Sequence, residues 1–162
     1  MTNFLRRTPV IWTLFVLMIV TGIGFGYFKS DVGGIYLDTS SSMVQSREII
    51  AAMTPEQRDM HFWVTVTLDT AFPLAYGGFF AAMALRYFSG LGGAAAMPAL
   101  ATIIVDLTEN TVQALALRGT VDVLDTKEWL TPLKFGLFFM AAAIALVALL
   151  MAFVALFRRK QA

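Results

Sequence analysis

Apolar and polar positions divide this chain into four long apolar stretches and one sizeable polar segment. The apolar stretches cover about 9–28, 61–87, 97–117 and 131–157, and the polar segment covers 29–60. A helix needs about 20 mostly apolar residues to cross the hydrocarbon core of a bilayer. All four stretches meet that length. The pattern predicts one all-α transmembrane domain over 1–162, an antiparallel four-helix bundle with a sizeable outer loop between the first two helices.

Local signals mark the ends. Thr8-Pro9 reads as a cap followed by proline at the first helical position, where its missing N–H costs nothing. The first span reads as a retained anchor rather than a secretion signal, because its apolar core is long for one. Gly22-x-x-x-Gly26 permits close helix contact, within the bundle or across a homodimer face. Asp38–Ser42 is turn chemistry. Met43–Met53 predicts a short amphipathic helix, with Val44, Ile49 and Ile50 available to lie on the membrane. Thr54-Pro55-Glu56-Gln57 reads as a capping box. Residues 88–96 read as a Gly/Ala linker and 118–128 as a polar loop. Thr131-Pro132 reads as the start of the fourth span.

Lys and Arg accumulate in cytoplasmic segments. One side of the expected topology carries Arg6, Arg7, Arg86, Arg158, Arg159 and Lys160 with no acid. The other carries Lys29, Arg47, Arg58, Arg118 and Lys127 among many acids and much more loop. The expectation is a multi-pass protein of a bacterial inner membrane with both termini cytoplasmic. Trp63 and Trp129 then mark the outer interface and Trp12 the inner one.

Composition narrows the chemistry. At 58% hydrophobic the chain exceeds a soluble domain. It has no cysteine, which removes thiol catalysis and thiolate metal sites. Its single histidine removes a multi-histidine zinc or haem site within one chain. No metal-ligand spacing is read, and the cofactor stays unknown. A net charge of +1 gives no reason to expect nucleic acid.

The candidate chemistry lies inside the spans. Asp106, Glu109, Asn110 and Gln113 recur at helical spacing and form one polar stripe on an apolar rod. His61, Thr65 and Asp69 step by four along the second span, and Tyr76 continues that face. Pro73 denies an N–H to the carbonyl four residues back, which belongs to Asp69. Lys134 lies one turn inside the fourth span. At 1.5 Å per residue, Asp69 and Glu109 lie roughly 12 Å deep, Asp106 roughly 16 Å and Lys134 about 8 Å. Ionisable groups at such depth are functional candidates. Lys134 can answer one of the three acids, with Glu109 the expected partner. The other two must share a proton or meet something positive.

Three readings follow. In the first, the protein is a membrane-embedded binding or accessory protein. Its acidic pocket in the outer half of the bilayer holds a lipid-like amphiphile, a cofactor or a cationic group, using Asp69, Tyr76, Asp106, Glu109, Asn110, Gln113, Lys134, Thr65 and His61. Partners are then the bilayer, a lipid-like ligand, and a larger membrane complex or a second copy. In the second, it is an intramembrane hydrolase or isomerase with Asp69, Asp106 and Glu109 as the acid/base set. In the third, the polar groups are bundle glue only.

The segments Asp69-Thr70-Ala71-Phe72-Pro73-Leu74-Ala75-Tyr76 and Asp106-Leu107-Thr108-Glu109-Asn110 resemble motifs of small bacterial four-span membrane proteins of unassigned function. That resemblance covers the second and third spans and implies the bundle, not an activity. In architecture alone the chain is similar to lipoprotein signal peptidases. Their Asn-x-x-Asp-Arg and Phe-Asn-x-x-Asp motifs are absent, and Lys134 stands where their fourth span carries Asp, so their activity is not carried over.

Overall fold

The computed structural model describes residues 2–160. Among these residues seven α-helices follow one another: α1 Thr2–Leu5, α2 Thr8–Phe28, α3 Met43–Ala52, α4 Pro55–Val66, α5 Leu68–Tyr87, α6 Gly92–Arg118 and α7 Lys127–Lys160. Short 3-10 turns lie at Leu37–Thr39, Ser89–Leu91 and Leu124–Thr126, and there is no strand among the described residues. Four segments are long and apolar enough to cross a membrane: Thr8–Phe28, Pro55–Tyr87, Ser89–Arg118 and Leu124–Ala155. They form an antiparallel bundle in which α5 is central, packing on α2, α6 and α7. The side chains of Arg158, Arg159 and Lys160, expected to mark the cytoplasmic side, lie outside the described ones.

Several predicted ends move. Thr8 is not the cap of α2. Arg7 takes that position without a side-chain bond, and the Thr8 hydroxyl instead accepts from Arg86 Nη1 at 2.9 Å. The expected linker 88–96 is shorter, because α6 already starts at Gly92. The fourth helix starts at Lys127, so Pro132 stands in its first turns and Thr131 caps nothing. The second span is one segment with a break. Helix α4 ends at Val66, and Thr67, with ψ of −74°, joins it to α5. The capping box forms as expected, with Gln57 N–H on Thr54 Oγ1 at 3.2 Å and Thr54 N–H on Gln57 Oε1 at 3.0 Å.

The two ends of the bundle have different cores. Toward the Ser89–Leu91 turn, buried alanines dominate: Ala81, Ala84, Ala96, Ala99 and Ala141 meet in one cluster. Small residues let backbones approach closely, which is how membrane helices gain dispersion energy without a hydrophobic drive. Gly77 continues this seam, since a Cβ there would press into the Ile103 side chain and lie 3.2 Å from the Ala99 carbonyl oxygen. Of the Gly22–Gly26 pair, Gly22 faces Phe72 of α5, while a Cβ at Gly26 would meet nothing within 4 Å; Gly24, between them, packs on Leu68.

The opposite end is polar and covered. Helix α6 stops at Gly119, whose φ of +67° suits glycine. Arg58 of α4 then donates to the Leu117 carbonyl at 2.5 Å and to the Ala116 carbonyl, which also accepts from Gly119 N–H, at 2.9 Å. Arg47 of α3 clamps Asp122 and Asp125, each at 2.8 Å. These bonds fix the polar segment 29–60 against the α6–α7 link, directly above the buried acids.

Candidate functional site

The site begins with the helix break and the proline of the second span. Asp69 lies in the first turn of α5, and Pro73 leaves its carbonyl without an intrahelical donor. Asn110 Nδ2 of α6 supplies one at 2.7 Å. Tyr76, two turns further along α5, donates to Asp106 Oδ2 at 2.6 Å. Both bonds run between α5 and α6 and set the rotation of one helix against the other.

Glu109 is the best satisfied acid. Its Oε1 accepts from Lys127 Nζ at 2.5 Å and from Thr131 Oγ1 at 2.5 Å, and its Oε2 lies 2.7 Å from Lys134 Nζ. Lys134 therefore does pair with Glu109, but that pair is one of several. Lys134 also pairs with Asp38 and lies 3.8 Å from Asp106 Oδ1. Lys127 and Glu109 are both wholly buried, and Lys134 is 3% exposed.

The polar segment closes over these groups through two consecutive residues. Leu37 is wholly buried. Its carbonyl accepts from Lys127 Nζ at 3.0 Å, and its N–H points to His61 Nε2 at 3.5 Å. Asp38 meets Lys134 and lies 3.5 Å from Gln113 Nε2. Side chains from α4, α6 and α7 thus grip one short turn. The neighbouring Tyr36 donates to the Phe25 carbonyl at 2.7 Å and packs edge-on against His61. Burial and the Asp69 and Asp31 charges push the Tyr36 hydroxyl up from its ordinary pKa.

The structure brings Asp69, Asp106, Glu109, Asn110, Gln113, Tyr76 and Lys134 to one buried end of the bundle. His61 is buried there too, but it meets Leu37 rather than an acid. Thr65 is buried on the same face, and its hydroxyl bonds to none of the acids among the described residues. Two members are not singled out by the sequence pattern. In sequence Asp38 reads as turn chemistry, and Lys127 as part of a polar loop. A signal for the second was present: Lys127, Thr131 and Lys134 recur at i, i+4 and i+7, the spacing of one helix face.

Charge does not balance among these groups. Asp38, Asp69, Asp106 and Glu109 supply four carboxyls, while Lys127 and Lys134 supply two ammoniums. One oxygen from each of Asp38, Asp69 and Asp106 lies within 4.8 Å of the others. Asp106 Oδ1 is buried without a hydrogen-bond donor, as is the amide oxygen of Gln113. The surplus at this end is thus one of acceptors, which call for a donor or a cation. Beside it, a groove of about 430 Å³ opens sideways between α4 and α6, lined by Phe62, Val66, Thr70, Leu107, Asn110 and Arg118. Asn110 forms part of its wall and also holds Asp69. No protein-family model, curated protein or solved structure matches this chain.

Proposed function

We propose that this is a membrane-embedded binding protein that holds a cationic group in the acid cluster, in the outer half of a bacterial inner membrane. One observation carries the reading: Asp69 and Asp106 converge with Asp38, yet two of the four carboxyls in the cluster have no ammonium of their own. A buried carboxylate without a cation costs several kcal/mol, whereas apolar residues of similar volume fill a bundle at no such cost. Stability alone does not favour this composition; a ligand that supplies positive charge does. Asp38 is the member nearest solvent, its side chain 26% exposed, so the polar segment forms the entrance.

The test is ligand retention. Protein extracted in mild detergent and examined by native mass spectrometry should carry a bound cationic species, organic or inorganic, that Asp69→Asn and Asp106→Asn lose while keeping helix content. Identical spectra for wild type and both variants would overturn the reading.

The orientation is tested separately. Ser41 and Ser89 are both exposed and lie at opposite ends of the bundle. With both termini cytoplasmic, a cysteine at Ser41 should react with an impermeant maleimide on intact cells, and one at Ser89 should react only after lysis. The reverse pattern would place the cluster in the inner half.

A further inference from the structure

The ligand class follows from which atoms lack partners. We propose that Asp38, Asp69 and Asp106 form an oxygen-only site for one hard divalent cation, calcium above magnesium. The inference rests on the cationic-ligand reading and narrows it. With all four carboxyls ionised, the protein's own Lys127 and Lys134 leave two negative charges in the cluster, the charge that one divalent ion cancels.

Geometry allows a shared ion. Two oxygens that share an ion are separated by at most twice the metal–oxygen distance, which for calcium is about 2.3–2.6 Å. Three carboxylate oxygens within 4.8 Å of one another are therefore near enough to share one calcium-sized ion. Magnesium dehydrates reluctantly and usually keeps several waters, so a cage of protein oxygens favours calcium. All three ligands are carboxylates, and hard cations prefer oxygen to nitrogen or sulfur. The chain's lack of cysteine and single histidine therefore do not count against such a site.

A second observation points to the same ion. Gln113 is wholly buried, its amide nitrogen lies 3.5 Å from Asp38 Oδ1, and its amide oxygen has no donor. Amide oxygens are ordinary ligands of hard cations. Asp106 is 4% exposed, and while Tyr76 fixes its Oδ2, its Oδ1 has no donor. Two buried oxygens at this end are thus left without hydrogens, one on Gln113, whose amide nitrogen faces Asp38, and one on Asp106 itself. The ligands also come from different parts of the chain. Asp69 and Asp106 sit on packed helices, and Asp38 rides on the covering turn. Lys134 lies beside Asp38 and Asp106, so its ammonium competes with the ion for them and limits affinity.

The experiment uses the full-length protein, stripped with chelator and titrated with Mn²⁺, free ion being read by electron paramagnetic resonance. One Mn²⁺ per chain should bind, displaced by Ca²⁺ more readily than by Mg²⁺, with a raised melting temperature. Loss of supporting residues around a metal costs 10–100-fold in affinity, and loss of a ligand no less. Asp38→Asn, Asp69→Asn and Asp106→Asn should therefore each weaken binding by about tenfold or more. Asp122→Asn, at the exposed Arg47 clamp, should leave it unchanged. Circular dichroism and gel filtration identify any variant that fails to fold, and Asp38→Asn, on the covering turn, tests the site without altering a membrane helix. Absence of bound Mn²⁺, or binding that survives all three substitutions, would overturn the metal assignment. If an organic cation is retained by wild type and lost in Asp69→Asn while Mn²⁺ does not bind, the metal inference fails and the binding reading stands. If neither is held, both fail.

Discussion

Lys127→Met should destabilise this protein by about 3 kcal/mol, although the residue lies outside its apolar core. Lys127 begins α7, where a positive charge opposes the helix dipole and costs about 0.3–1 kcal/mol. It is retained there with no exposure, bonded to Glu109 Oε1 at 2.5 Å and to the Leu37 carbonyl at 3.0 Å. One ammonium therefore joins α6, α7 and the covering turn. Removing one partner of a buried ion pair costs about 3–5 kcal/mol. Glu109 keeps Lys134 and Thr131, so the expected loss is near the lower limit, about 3 kcal/mol. The Leu37 carbonyl also loses its donor. Thermal melts in detergent should show the drop, and Lys127→Met combined with Glu109→Gln should recover part of it. A single variant that melts with wild type would show that Lys127 carries none of this load.

The parts of the fold legible in the sequence are those set by local physics. Apolar length defines four spans, and Thr54 with Gln57 defines the start of α4. Pro73 predicted a free Asp69 carbonyl, and Asn110 occupies it. The starts of α6 and α7 differ from the expected ones for one reason. Gly/Ala and Thr-Pro read locally as boundaries, but the helices begin earlier in both cases, at Gly92 and Lys127. Pro132 is the sixth residue of α7, so it withholds the N–H that the Glu128 carbonyl, four residues back, would otherwise accept.

The site was half legible. Periodicity brings Asp106, Glu109, Asn110 and Gln113 to one face and places Asp69 and Tyr76 on another, and the structure sets these faces together. Asp38 was not legible, because nothing local to Ile35–Ser42 states that the turn folds down onto helix ends. Its only hint is apolar Tyr36 and Leu37 in a polar stretch, and a turn that buries such residues needs a cover. Lys127 was hidden by its neighbours. Asp125, Thr126 and Glu128 are polar and surround it, although its spacing to Thr131 and Lys134 marks a shared face.

Lys134→Met should separate the two roles of the cluster, holding the helices and holding the turn. Lys134 meets Glu109 Oε2 at 2.7 Å and also pairs with Asp38. Its loss removes a cation from both, and breaking buried pairs in this way costs about 3–5 kcal/mol. The two partners are not left in the same state. Glu109 retains Lys127 and Thr131, while Asp38 retains only the distant Gln113 amide at 3.5 Å. In double-mutant cycles, coupled neighbours differ from additivity by about 0.5–3 kcal/mol. Coupling of Lys134→Met with Asp38→Asn should fall in the upper part of that range, and coupling with Glu109→Gln in the lower part. Proteolysis of the 29–60 segment should rise in Lys134→Met and return toward wild type when Asp38→Asn is added. Equal coupling to both acids would make Lys134 a helix clamp with no particular hold on the turn. Simple additivity with both would mean that its ammonium turns outward to the interface, as long lysine side chains near membrane ends can do. Against that outcome stands its burial, since a lysine that reaches the interface does not sit 3% exposed among three carboxylates.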